Sequence, residues 1–302
     1  MMKQNSDRVG VTWSEGLGPA ILRNIDKLDV VQINVDDLVH APTRKLESIR
    51  SMAANLPLTF HSSLLGVASA HLVDGAMLQQ ITNVLKALNA DNFSVDLGFA
   101  RAGIYEIGAA AASPRTIATV DGATRNFEMI TAATGLVPAL GNVATLINPP
   151  GSKLDEATWI SQILFQTKAP MLLDLYSAYA NAFNFAYEPT KFLKDLPLEQ
   201  VTTIHLSGGQ LLYEPQTYST FREAKRLASN ETHSIPRDVF KLLEWVSAEA
   251  AQKFTVIIER EGDDSEFPDL LNEVQQARKA IESGRATARR KSQAEFLGEM
   301  LQ

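Results

Sequence analysis

The sequence predicts a single (β/α)8 barrel, a TIM-barrel α/β fold, and three observations carry that prediction. Eight short apolar runs rich in β-branched residues alternate with segments of helical spacing. The runs are near-continuously apolar rather than alternating, the pattern of parallel strands covered on both faces. Several end on a histidine or a carboxylate, which in such a barrel puts those groups at the carboxyl rim, where active sites are built. An open doubly wound sheet shares the alternation. No G-x-G-x-x-G follows the first strand, however, so a dinucleotide site has no anchor.

Taken in order, the first run is Arg8–Trp13, closed by Ser14, Glu15 and a Gly16-Leu17-Gly18 turn. Pro19, acceptable in a first helical turn, opens a helix to Lys27. Asp29–Asp37 is the second strand, and after His40-Ala41-Pro42 a helix capped by Thr43 runs to Ala54. Pro57–Ser63 is the third strand and carries His61. Helical spacing returns over Gly75–Ala90 in Met77, Ile81, Val84, Leu85 and Leu88. Asn92–Phe99 is the fourth strand, with Asp96 near its end. The alanine-rich stretch 100–119 reads as a lid or insertion, its Ala109–Ala112 run as a short helix or filler. Gly122–Thr134 is helical, Leu136–Val143 is the fifth strand, and a Pro149-Pro150-Gly151 loop leads into the helix Asp155–Gln166. Pro170–Tyr179 is the sixth strand and bears Asp174. Helical residues near Thr190–Leu193 precede the seventh, which starts at Val201 and delivers His205 just before Gly208-Gly209. A long loop then carries Glu231 and His233. Pro236–Ala250 is a helix, and Lys253–Glu261 is the eighth strand, with Glu259 near its end. The barrel domain is placed in residues 1–270, and residues 271–302 read as a helical, locally basic tail.

Composition narrows the chemistry. The chain has 302 residues and no cysteine, which excludes disulfides, thiolate metal sites and a cysteine nucleophile. A net charge of −7 does not suggest a nucleic-acid-binding face. The first ten residues lack the apolar core of a signal peptide, and no apolar run approaches the roughly 20 residues a bilayer span needs. The expectation is a cytoplasmic protein with neither a membrane nor a nucleic-acid partner.

His61, Asp96, Asp174, His205 and Glu259 all fall near strand ends, and Glu231 and His233 lie in the loop after the seventh strand. Residues two apart in extended backbone point to one side, so Glu231 and His233 could share one ion. Imidazole and carboxylate donors without sulfur suit iron, manganese or zinc; with open positions they suit non-heme iron chemistry with dioxygen. Each also has a plain structural use. Asp174 can bond backbone at the rim, and Glu259, beside Arg260, can be half of an ion pair. His40 and His71 lie outside the pattern. Ser62-Ser63 has no G-x-S-x-G elbow, H-E-x-x-H and Walker A sequences are missing, and nothing sets the separation of a Glu259/Asp96 glycosidase pair.

The ordered set FHSS (60–63), SVDL (94–97), LGN (140–142), LLDLYSAYANAFN (172–184), IHLSGG (204–209), ETH (231–233) and IIERE (257–261) resembles the multinuclear non-heme iron-dependent oxidases, the DUF692 proteins, including their MbnB-type members. The resemblance spans nearly the whole chain to about residue 265 and implies a xylose-isomerase-like barrel. It implies two or three irons at the rim, with dioxygen as co-substrate, and oxidative modification of cysteine in a ribosomally made precursor peptide. It also implies a small partner protein that presents the peptide. By motif, His61, His205, His233 and Glu259 match expected ligands. Asp96 stands where the family has histidine, and Gly141 where it has glutamate. Glu231 replaces an aspartate, Tyr176 and Ser177 replace two asparagines after Asp174, and Gly209 replaces a histidine. A bridging carboxylate is needed to hold two cations close together, and Gly141 removes the most obvious one. The sequence therefore supports two readings: a divergent iron enzyme holding one or two ions, or a metal-depleted barrel serving as a peptide- or partner-binding scaffold. In the tail, Arg278, Lys279, Arg285, Arg289, Arg290 and Lys291, with Phe296, Leu297, Met300 and Leu301, suggest docking of an acidic partner.

Overall fold

The computed structural model describes residues 6–102, 105–213 and 225–300. Strands β1 (Arg8–Thr12), β2 (Val31–Asn34), β3 (Leu58–Ser62) and β4 (Ser94–Asp96) alternate with helices α1 (Gly18–Arg23), α2 (Thr43–Met52) and α3 (Gly75–Ala87). An antiparallel pair, β5 (Gly98–Ala102) and β6 (Tyr105–Ala112), interrupts the alternation before α4 (Ile117–Thr134). The second half runs β7 (Ala139–Gly141), α5 (Glu156–Thr167), β8 (Met171–Asp174), α6 (Leu175–Phe185), α7 (Pro189–Lys194) and β9 (Val201–Ser207). A second antiparallel pair, β10 (Gly209–Tyr213) and β11 (Lys225–Ser229), follows, then α8 (Arg237–Glu249), β12 (Thr255–Glu259) and α9 (Phe267–Met300). Strands β1, β2, β3, β4, β7, β8, β9 and β12 pair in chain order, and β12 returns to β1 in parallel, Val9 opposite Val256, to close the barrel.

The barrel strands are apolar on both faces because both are covered. Val11, Ile33, Leu140, Leu173, Ile204, Val256 and Ile258 are all buried. Each such side chain contributes about 1.5–3 kcal/mol relative to exposure, which offsets the cost of polar groups placed at the rim. Local signals start the helices. Asp74 accepts from the Met77 N–H (2.8 Å) and Asp155 from the Thr158 N–H (2.9 Å), while Thr116 and Thr119 form a reciprocal cap on α4.

Three segments depart from the sequence-based expectation. The sixth strand ends at Asp174, not Tyr179, because the Asp174 carboxylate caps the Ser177 N–H (2.8 Å) and turns the chain into α6. The alanine run 109–112 is strand, not helix: pairing with β5, Gly98 opposite Ala112, overrides alanine's helical preference. The stretch after His205 contains the β10–β11 pair rather than loop alone.

The tail also differs. Its first half is the barrel's last helix, with Leu270, Val274, Ala277 and Ile281 forming a buried stripe against α8 and the adjoining strands. The boundary after residue 270 therefore cuts through a barrel helix. Arg285 binds Asp7 through two nitrogens (2.8 and 3.1 Å), donates to the carbonyls of Ala250 and Gln252, and lies over the Phe254 ring. Burial alone would raise the Asp7 carboxyl, but Arg285, the Phe254 N–H and Lys253 hold it below the usual carboxylate range. Arg278 pairs with Asp29 (2.7 Å) and Lys291 with Glu249 (2.6 Å), so half of the expected docking cations are used within the chain. Ending the chain after Asp269 should abolish cooperative thermal unfolding, whereas ending it after Ala286 should leave the melting temperature within about 2 °C of the parent, because the backbone removed there buries no core.

Candidate functional site

The register of the parallel strands assembles the rim. Asp174 on β8 stands beside His205 on β9, Ser94 on β4 beside His61 on β3, and Asp96 beside Gly141 on β7. The two imidazoles meet edge to face, with ring centroids 5.1 Å apart and planes at 72°.

His205 is the centre of a closed network. Its Nδ1 lies 3.0 Å from Glu259 Oε1 and its Nε2 2.8 Å from Gln32 Oε1, while Gln32 Nε2 donates to Glu259 Oε1 (3.3 Å). Both ring nitrogens therefore face acceptors, and three strands are tied together below the rim. Burial would raise the Glu259 carboxyl, but His205, His61 and the Gln32 hydrogen bond outweigh it and hold it below the usual range. Arg260 takes no part in this; it forms a buried pair with Glu273 of α9 (3.1 Å).

His61 is fixed by hydroxyls. Ser94 Oγ donates to the Phe60 carbonyl (3.2 Å) and so accepts from His61 Nδ1 (2.9 Å). Nε2 faces Ser63 Oγ (3.2 Å) and Asp96 Oδ2 (3.6 Å). Burial would lower the imidazole, but Asp96, Glu259 and Asp36 overcome it and raise His61 to about 9. Asp36 shapes the turn behind this histidine, accepting from Ser62 Oγ (2.6 Å) and the N–H groups of Ser63 (2.8 Å) and Leu64 (3.2 Å).

The remaining carboxylates are short of positive partners. Burial and the Glu259 charge push Asp174 up to about 6, although it accepts two hydrogen bonds from Ser177. Glu231 is raised by burial and by Glu259, Glu261 and Asp174. His233 does not accompany it. Residues 231–233 form a turn closed by His233 N–H to the Asn230 carbonyl (3.2 Å), not extended backbone, so Glu231 is half-buried while His233 is exposed against Thr232. The expected shared ion at Glu231 and His233 thus lacks its extended backbone.

Gln32, Asp36, Ser63 and Ser94 complete the rim without having been singled out. Gln32 had a signal, a lone amide inside the apolar run DVVQINV. Asp36 and Ser94 had none, since an aspartate after a strand and a serine opening one are both ordinary, and Ser63 is weighed only against a serine-hydrolase motif.

A family model described as RiPP precursor modification enzyme MbnB/TglH/ChrH matches residues 8–282. The chain belongs to this family. A UPF0276 protein of Streptomyces avermitilis is 26% identical over 286 residues, covering 90% of this chain and 55% of that protein. Another from Acaryochloris marina is 25% identical over 241 residues, covering 78% and 80%. This chain thus spans about half the length of the Streptomyces relative. Among solved structures, a D-psicose 3-epimerase from Clostridium cellulolyticum superposes with a TM-score of 0.57 at 11% identity, covering 93% of this chain and 99% of that one. A xylose isomerase domain protein from Planctomyces limnophilus gives 0.55 at 13%, covering 92% and 99%. At such identities these two establish the barrel and nothing of its chemistry.

The resemblance to the iron-dependent MbnB-type oxidases implies a cluster at this rim, and the donors of this MbnB/TglH/ChrH-family chain do not fit a two- or three-ion one. Among the described residues, no three His, Asp or Glu side chains converge in a ligating arrangement. Both His205 nitrogens are engaged with Glu259 and Gln32. A Cβ at Gly141 would stand 2.8 Å from Asp96 Oδ1 and 3.0 Å from Leu172 Cδ2, so Asp96 fills the space a longer side chain there would cross. A Cβ at Gly209 would overlap the Tyr176 hydroxyl and the Ala228 carbonyl. Tyr176 is fully buried and donates to that carbonyl (3.1 Å), which locks the arrangement.

Two measurements follow. Gly141→Ala should cost about 1–3 kcal/mol by overpacking, and less than half of that in an Asp96→Ala background, a coupling that urea unfolding of the four-member cycle reads directly. In chelator-treated protein, stability should fall as pH rises. Asp174 drives the loss from its ordinary 3.8 to about 6, and His61 from 6.5 to about 9, because each binds its proton more tightly when folded. His61→Gln should flatten the upper window.

Proposed function

We propose that this chain binds a ribosomal precursor peptide at the rim of its barrel and acts there as a peptide-positioning scaffold, without the iron cluster. Family membership supports the peptide. The observation that carries the second half is the closed His205–Gln32–Glu259 network, in which each imidazole nitrogen already has a partner, so that a cation reaching either one must displace it. The packing of Asp96 and Tyr176 against Gly141 and Gly209 supports the same reading.

In this reading the rim residues bind and orient. The protonated His61 and the partly exposed Asp96 and Asp174 present charge to a peptide lying across the strand ends. Glu231, raised to about 8, offers a hydrogen-bonding carboxyl, and Gln32 keeps His205 from turning as Ser94 and Ser63 keep His61. A small partner protein presenting the peptide belongs to the same proposal, and so does a cytoplasmic location. No helix among the described residues is long and apolar enough to cross a membrane.

The rival reading is iron-dependent oxidation of a peptide cysteine. One observation favours it: Asp174 and Glu231 are both raised by neighbouring carboxylates, a repulsion that a single cation would relieve. Metal analysis with Mössbauer spectroscopy after anaerobic iron(II) reconstitution separates the two. The scaffold reading expects less than about a tenth of an iron per chain, since losing side chains that would bind the ion directly should weaken binding beyond the 10–100-fold seen for their hydrogen-bonding partners. Stoichiometric iron with a histidine-ligated spectrum would overturn it.

A further inference from the structure

A cavity of about 1130 Å³ lies not at the barrel mouth but on the outer wall, between α5 and the α6–α7 segment. Its upper end lies at the carboxyl side of the barrel, where Asp155 caps the start of α5 and the buried Arg115–Glu156 pair (2.7 Å) forms part of the floor. The lower end reaches Phe165 in the last turn of α5 and Glu199 and Gln200 just before β9. The groove therefore runs the length of a twelve-residue helix, about 18 Å, which an extended peptide of five or six residues would fill.

Its walls combine aromatic surface with unbalanced charge. Phe165 is 71% exposed inside this concavity, its ring covered on one face only by the Lys168 ammonium, 3.8 Å from the ring centroid, and Tyr187 and Phe192 face it from the other side. Arg115 and Glu156 neutralise each other. That leaves Asp155, Asp195 and Glu199, exposed and without an ion pair among the described residues, against Lys191 in the wall and Lys168 over the Phe165 ring, an acidic excess of one. Ser161 Oγ donates to the Asp195 carbonyl (3.4 Å), which narrows the groove at mid-length without closing it.

We infer that this groove is a docking site for the precursor peptide, taking an extended segment that carries a large apolar residue against Phe165 and lysine or arginine against Asp195 and Glu199. Acidic walls around an aromatic anchor select that chemistry, the apolar contact giving affinity and the charges giving orientation and a salt-sensitive association rate. The segment docked here lies outside the rim, so its upper end can pass over the carboxyl face and present the rest of the peptide to the His61 and His205 cluster. This rests on the peptide-binding reading above and assigns it a second contact.

The test uses the full chain against a cellulose-bound array of random dodecapeptides, with hits remeasured by fluorescence anisotropy at low and moderate salt. Binders enriched in lysine or arginine together with leucine, isoleucine or phenylalanine are expected. Phe165→Ala and the double variant Asp195→Lys/Glu199→Lys should each weaken them about tenfold or more, the second also removing most of the salt dependence, with melting temperatures unchanged because all three side chains are exposed. Binders indifferent to these variants but lost in His61→Gln or Glu231→Gln would overturn the groove and leave peptide binding at the rim standing. An array without binders would overturn both. A monomer–dimer equilibrium shifted by the same variants would assign the groove to a second copy of the chain and overturn the peptide as its occupant.

Discussion

Charge taken out of water must be paired or hydrogen-bonded, and His205 is where this barrel meets that requirement. Its ring lies between Glu259 and Gln32, so strands β2, β9 and β12 are joined by side chains as well as by their ladders. The second imidazole, His61, is held the same way from β3 and β4, by Ser94 and Ser63, with Asp36 gripping the turn that follows. A rim cross-linked like this is rigid and dry beneath, and its charges are pre-aimed. That rigidity is useful for holding a peptide and is an obstacle to admitting a cation.

The positions where this chain departs from the iron-dependent pattern are adjusted in concert. Asp96 leans into the space over Gly141 and reaches toward His61; Tyr176 reaches over Gly209 and bonds the β11 backbone. In each case a glycine and a larger neighbour share one volume, so neither half is restored alone without strain. What survives is a cluster of carboxyl groups. Asp174 and Glu231 sit above their ordinary pKa because each is buried and also faces other carboxylates. A basic peptide would lower that electrostatic cost, consistent with the acidic walls of the groove between α5 and α7.

The C-terminal helix illustrates how charge alone misleads. A run of arginines in an acidic chain invites a docking role, yet Arg285 closes the barrel by joining Asp7, before β1, to the carbonyls that follow α8. Arg278 does similar work at Asp29. Multiply bonded arginines of this kind hold elements together, because the planar guanidinium can satisfy a carboxylate and backbone carbonyls at once. Arg289 and Arg290, beyond the packed half of the helix, are the ones left at the surface.

The barrel, its eight strands and a set of histidines and carboxylates at strand ends were legible in the amino-acid pattern alone. Near-continuous apolar runs have no alternative but to be covered on both sides, and their ends are legible in glycine, proline and charge. Which of those groups meet depends on the packing of distant segments. Gln32 and Ser94 become partners of His205 and His61 through strand register, a relation across 173 and 33 residues that local pattern does not encode. Asp174 looks like a strand residue and acts as a helix cap, since the same aspartate serves either until the next turn forms. His233 matches a ligand motif and lies outside the cluster because a turn, not a strand, carries it. Short-range preferences set what each segment becomes, whereas the chemistry at the rim depends on distances between segments, and packing alone sets those.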